Sequence, residues 1–201
     1  MGWVTGLKRP GGYSGLAAKL RSAAVVTILA LVGIVSLTSP TWGQIDWFLA
    51  HRFADVRTIS TVQLAQALLQ SGRNTQATKL VLLDIRSAEE FAVSHLPGAR
   101  NVPPDAVIDF AERELAGLER SQPIVVYCSV GVRSAAAARD LQFLGFSQVK
   151  NLQGSLFQWA NEGRAVVAGV HGSPEGQASS AVAVHPYNGF WGRLLRVPER
   201  P

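Results

Sequence analysis

The single cysteine of the chain, Cys128, stands between Ile124-Val125-Val126-Tyr127 and Ser134-Ala135-Ala136-Ala137-Ala138-Arg139-Asp140-Leu141. The first run, led in by Pro123, reads as a short buried strand, and the second has high helix propensity. Cys128 therefore lies beside a helix N-terminus, where unpaired N–H groups and the positive end of the helix dipole favour a thiolate. Arg133 adds a full positive charge close by. The chemistry predicted is that of a nucleophile with a lowered thiol pKa. The competing reading is an inert cysteine in a core, the usual state of an isolated thiol. The position after a strand, in a glycine-containing loop closing on Arg133-Ser134, favours reactivity.

The elements that must position this loop alternate along the chain. Ile59 ends a short strand, and Ser60 or Thr61 can cap a helix through Val62, Leu64, Ala67 and Leu68, closed by Gly72. Leu80 to Ile85 reads as a strand, and Ser87 stands three residues before Glu90 as in a capping box. His95-Leu96-Pro97-Gly98-Ala99 turns the chain into a brief strand near Arg100 to Val102. A helix from Pro104 or Asp105 to about Leu118 follows, then the strand into Cys128 and a helix capped at Gly145. Val149 to Leu152 makes a last strand, and Gly154 to Glu162 a last helix. Strands alternating with helices imply an α/β fold, a parallel sheet covered on both faces, with ligands at the carboxyl ends of its strands.

The ends of the chain differ in character. Residues 1–22 form a basic segment, and Ala23 to Leu37 is apolar except for Thr27 and Ser36, within an uncharged run from Ser22 to Ile45. Residues 23–42 are read as a membrane anchor with Trp42 and Trp47 at the interface, or as the core of a cleaved signal. Both place the remainder on the non-cytoplasmic side, and Asp46 to Arg57 is read as juxtamembrane. The formal charge of +5 falls to +1 once Lys8, Arg9, Lys19 and Arg21 are set aside, which removes the case for nucleic acid. One cysteine excludes an internal disulfide and zinc sites built on several cysteines; no metal or other cofactor is expected. From residue 169 the chain reads as a flexible tail. Within it, Phe190-Trp191 with Leu194 and Leu195 form an apolar group too short to fold alone, with contact to a membrane or partner as the alternative.

Four stretches carry a family resemblance: Leu83-Asp84-Ile85-Arg86 with Glu89-Glu90-Phe91; His95-Leu96-Pro97-Gly98-Ala99-Arg100-Asn101-Val102-Pro103; the cysteine loop; and Gly145 to Gly154 with Trp159. In order and spacing they resemble a single-domain rhodanese over residues 57–168. The resemblance implies the rhodanese-like three-layer fold, a parallel five-stranded sheet between helices. One departure is that Ser155 stands where the family commonly has a second glycine, which bears on loop packing near the site.

The resemblance also implies sulfur transfer. Cys128 would attack the outer sulfur of thiosulfate or a similar small anionic donor, hold it as a persulfide and pass it to an external thiol or other thiophilic acceptor, in two half-reactions. Backbone N–H groups of Ser129, Val130, Gly131, Val132, Arg133 and Ser134 can form a nest around the sulfur anion. Gly131 eases the curvature, Arg133 would hold the donor's oxyanion, and Ser134 can cap the helix. Arg86, ending a strand, is the second candidate for anion binding, against an ion pair with Asp84, Glu89 or Glu90. Asp84, Glu90 and His95 are read as fixing loops. Two rivals remain: a cysteine-dependent phosphatase, whose loop has five residues between cysteine and arginine where this one has four, and a non-catalytic module displayed at a membrane. A Ser-His-Asp hydrolase is excluded by the absence of a G-x-S-x-G elbow.

Overall fold

The structure, a computed structural model, describes residues 39–73, 79–169 and 183–197. The chain divides into two units at Ser39/Pro40, and every element described below lies in the second. The expected anchor core falls outside the described residues. Among the described residues no helix is long and apolar enough to cross a membrane.

The elements in chain order are α1 (Trp42–Arg52), β1 (Thr58–Ile59), α2 (Thr61–Arg73), β2 (Val81–Asp84), α3 (Ala88–Val93), β3 (Arg100–Asn101), a 3-10 turn (Pro104–Ala106), α4 (Val107–Glu114), β4 (Ile124–Tyr127), α5 (Val132–Phe143), β5 (Val149–Leu152), α6 (Ser155–Asn161) and a second 3-10 turn (Trp191–Leu194). The five strands form one parallel sheet in the order β1-β5-β4-β2-β3. β4 occupies its centre, and its four residues are all buried, which explains why they read as an unbroken apolar run. Alternation sorts its side chains: Ile124, Val126 and Cys128 join a core with α4 and α5, while Val125 and Tyr127 join the core built by α1, α2 and α6.

Local signals place the turns. Ser87 and Glu90 form the reciprocal capping box that starts α3. Gly145, at φ +92°, closes α5: its N–H donates to the Gln142 carbonyl and that of Phe146 to the Leu141 carbonyl, a Schellman ending. α5 itself begins at Val132 rather than Ser134. Its N-cap is Gly131, so Ser134 lies inside the first turn and is not the cap.

Both flanks correct the sequence reading. The stretch taken as juxtamembrane is largely α1, started by a Thr41/Gln44 capping box, and its Ile45 and Leu49 are buried in the core. Trp42 packs against that core as well, in place of a membrane interface. The segment 183–197, expected to be flexible, is folded onto the domain with Val184 and Leu194 buried. Asn161 of α6 clamps it, donating to the Leu194 carbonyl at 2.8 Å and accepting from the Arg196 N–H at 2.7 Å. Asn188 accepts from the N–H groups of Phe190 and Trp191 and so starts the 3-10 turn. The apolar group is too short to fold alone, but docking against an existing core removes that requirement.

Candidate active site

The loop after β4 is shaped by the helix behind it. The carbonyls of Cys128 and Ser129 accept from the Leu156 and Phe157 N–H groups, which are among the donors a helix N-terminus leaves unpaired. That docking needs a tight entry to α6, and Gly154 (φ +67°) and Ser155 (φ +49°) both adopt left-handed conformations there. For Ser155 this is a strained state, offset by its side chain: Oγ accepts from the Cys128 N–H at 3.3 Å and donates to the Leu152 carbonyl at 3.1 Å. The residue that departs from the family pattern thus fastens the nucleophile's own peptide.

Gly131, at φ +104°, turns the loop so that its N–H donates to Cys128 Sγ at 3.2 Å. Asn151 of β5 holds this turn from below, donating to the Gly131 carbonyl at 2.9 Å and accepting from the Ser134 hydroxyl at 2.7 Å. Cys128 is 1% exposed. Burial pushes its thiol up, but the charge of Arg133 and hydrogen bonds from Ser134 and Gly131 outweigh that and hold it below the ordinary thiol value. With the Ser134 hydroxyl donating to Asn151, backbone N–H groups are the sulfur's standing donors.

Arg133 does not stand alone. Its guanidinium meets Glu90 at two points, both 2.8 Å, and donates to Ser129 Oγ at 2.9 Å, while Ser129 Oγ donates at 3.0 Å to Glu90 Oε1, the oxygen that also accepts from Arg133 Nη2. Burial would raise the Glu90 carboxyl, but Arg133 and the Ser87 N–H hold it below its ordinary value. Burial would likewise lower Arg133, and Glu90 with the Cys128 sulfur keeps it above the ordinary arginine value. The Tyr187 ring covers the guanidinium carbon at 4.5 Å.

A cavity of about 150 Å³ opens over the sulfur, lined by Cys128, Ser129, Val130, Val132, Arg133, Tyr187 and Trp191. The structure thus brings Cys128, Ser129, Val130, Val132 and Arg133 of the loop to one cavity and adds two aromatic walls from the C-terminal segment. Ser134 lies below it. Arg86, expected as a second anion-binding cation, is a correction: its side chain is fully buried, held by Asp84 through Nε at 2.9 Å and Nη2 at 2.6 Å, and donates to the Ser94 carbonyl at 2.5 Å. The ion pair won because Asp84 is two residues away at the same strand end. His95 stacks on Phe91, with ring centroids 3.7 Å apart, and fixes a loop by pairing with Val167.

Sequence reasoning missed Glu90 as the partner of Arg133, Asn151 and Ser155 as supports, and Tyr187 and Trp191 as walls. The Thr41/Gln44 spacing signalled α1; nothing local signalled where the C-terminal aromatics dock. Among the described residues no group of histidine, cysteine and acidic side chains could hold a metal ion.

Comparison with known proteins identifies the family. The rhodanese-like domain matches residues 62–162. A probable adenylyltransferase/sulfurtransferase of Mycobacterium tuberculosis, MoeZ, is 38% identical over 94 residues, 47% of this chain and 22% of that protein. Thiosulfate sulfurtransferase 16, chloroplastic, of Arabidopsis thaliana is 34% identical over 111 residues, 51% of this chain and 87% of that protein. A solved structure from Rhodopseudomonas palustris, described as a protein of unknown function and possible tyrosine phosphatase, is similar with a TM-score of 0.50 at 25% identity, covering 61% of this chain and 93% of that one. The chain spans about a fifth of the length of the adenylyltransferase relatives that it matches. With a parallel sheet whose strands β2 to β5 and cysteine loop lie inside the matched span, the chain belongs to the rhodanese-like domain family.

Proposed function

We propose that the protein is a sulfurtransferase that moves a sulfane sulfur from thiosulfate or a similar donor to a thiophilic acceptor through a Cys128 persulfide. In the first half-reaction the Cys128 thiolate bonds to the outer sulfur of thiosulfate, the sulfur–sulfur bond of the donor breaks, and its electron pair leaves with sulfite. In the second, the acceptor takes the outer sulfur and Cys128 returns to the thiolate. The observation that carries this reading is the Gly131 N–H donating to a buried Cys128 Sγ at 3.2 Å inside a walled cavity. That donor, fixed before any reaction, matches the negative charge that sulfur carries before and after transfer. The sulfurtransferase descriptions of the Mycobacterium and Arabidopsis relatives support it.

The test is to incubate the protein with thiosulfate and weigh it intact. One added sulfur atom is expected, absent in Cys128→Ala; no addition, or addition that survives in that variant, overturns the reading. A phosphatase substrate in parallel assays addresses the description attached to the Rhodopseudomonas structure. Four residues between Cys128 and Arg133 leave a smaller ring of donors than a phosphoryl group needs, and a purely binding module would have no use for a stabilised thiolate. We further infer that the apolar run of residues 23–37 holds the domain on the non-cytoplasmic side, from the basic residues that precede it. Protease digestion of intact and opened cells tests that orientation.

A further inference from the structure

The positive charge at the cavity is already paired. Arg133 is the cation that lines it, and its two-point pair with Glu90 together with the Tyr187 ring leaves no uncompensated positive charge there. Arg86 is sealed away with Asp84. An anionic acceptor would compete with Glu90 for Arg133, as the thiosulfate donor must, whereas an uncharged substituent needs no such exchange.

Next to this cavity is a second one, of about 290 Å³, between α1 and the C-terminal segment, lined by Pro40, Ile45, Phe48, Val132, Phe190 and Trp191. Its one polar neighbour, Gln44, has its side-chain oxygen engaged by the Thr41 N–H at 3.0 Å. Val132 and Trp191 line both cavities, so the apolar space continues from the wall of the nucleophile's own site. Phe48 and Phe190 are 41% and 42% exposed at its rim, apolar surface that a ligand would cover. Together the two spaces are at the small end of ligand sites, room for a small molecule rather than a large cofactor.

We propose that the sulfur acceptor is a small thiol with an apolar hydrocarbon substituent, which lies between α1 and Trp191 while its sulfur meets Cys128. The proposal rests on the sulfurtransferase reading and names the acceptor class for the same site. The acceptor's thiolate bonds to the outer sulfur of the persulfide, the bond from that sulfur to Cys128 Sγ breaks, and its electron pair restores the Cys128 thiolate. The acceptor leaves as its own persulfide, with no external oxidant or reductant.

The test loads Cys128 with inorganic polysulfide, confirms the added sulfur by intact mass, and follows discharge by ethanethiol, 1-butanethiol and 1-hexanethiol, whose thiol groups are alike in acidity. Each methylene that enters the cavity should raise the rate constant about three- to fourfold, giving at least about a tenfold rise from ethanethiol to 1-hexanethiol. Phe48→Glu and Phe190→Gln, both at half-exposed positions, should flatten this dependence. The ratio of rates is read within one preparation, so partial unfolding lowers both alike. A persulfide discharged equally by all three thiols, or a chain-length dependence untouched in both variants, overturns the inference and leaves sulfur transfer standing. If no persulfide forms, the sulfurtransferase reading falls and the inference with it.

Discussion

Two arginines follow neighbouring strands of one sheet, and each is gripped by a single carboxylate at two points. Arg86 leaves β2 and pairs with Asp84, both side chains wholly enclosed. Arg133 follows β4 across the cysteine loop and pairs with Glu90 on α3, keeping 25% of its side chain exposed beside the cavity. The partner's place makes the difference: a carboxylate on the same strand end folds the guanidinium back into the protein, whereas one borrowed from another helix leaves a face turned to the site. The same pairing chemistry therefore serves stability in one case and the electrostatics of a thiolate in the other.

The largest effect should come from breaking the enclosed pair. Asp84→Ala leaves the Arg86 charge buried without a partner and should cost about 3–5 kcal/mol in urea unfolding, a large share of the stability of an ordinary domain. Glu90→Gln, at the open pair, should cost only about 1–2 kcal/mol. Stability losses of equal size would remove the distinction between the two sites.

Arg133→Gln is the matching test on the chemical side. Arg133 favours the thiolate, so its removal should raise the pH at which Cys128 becomes alkylated by iodoacetamide and slow that reaction about tenfold at neutral pH. Substitution at Glu90 should act the opposite way. With the anion gone, Arg133 is unmasked, the alkylation midpoint falls, and thiosulfate loads faster. Glu90→Gln should also blunt acid unfolding. The folded-state value of Glu90 is depressed, so its stabilisation is complete above the ordinary carboxylate range and is lost as pH falls through that folded value.

The finest comparison concerns Ser155. Ser155→Ala loses the hydrogen bond to the Cys128 N–H and keeps the positive φ, a loss of about 1–2 kcal/mol. Ser155→Gly loses the same bond but relieves the backbone, and should fall within about 1 kcal/mol of the parent. The gap between the two variants in thermal unfolding measures the strain stored beside the nucleophile.

The parts of this architecture written in local pattern were legible beforehand. The apolar run of β4, the capping box at Ser87 and the glycine at 145 each fix one element by rules acting within a few residues, and the parallel sheet follows from their alternation. The loop from Cys128 to Arg133 was legible for the same reason. Arg86 was ambiguous because two partners and two roles fit its position, and only burial decides between them. Trp42 and Trp191 were misread because their surroundings are supplied by residues far away in sequence: an apolar residue near a chain end looks alike whether it meets lipid, solvent or a core. Ser155 was seen as a departure, but its bond to the Cys128 peptide required the fold.

The walls contributed by Tyr187 and Trp191 have a consequence for the newborn protein. Synthesis proceeds from the N-terminus, so Cys128, its loop and α5 leave the ribosome before the residues that roof them. In that interval the sheet and α5 can assemble around a low-pKa thiol with no lid of aromatic rings, the state most open to irreversible oxidation. Docking of the segment that carries Tyr187 and Trp191 ends that vulnerability, so a turn translated well after the nucleophile is the one that shields it.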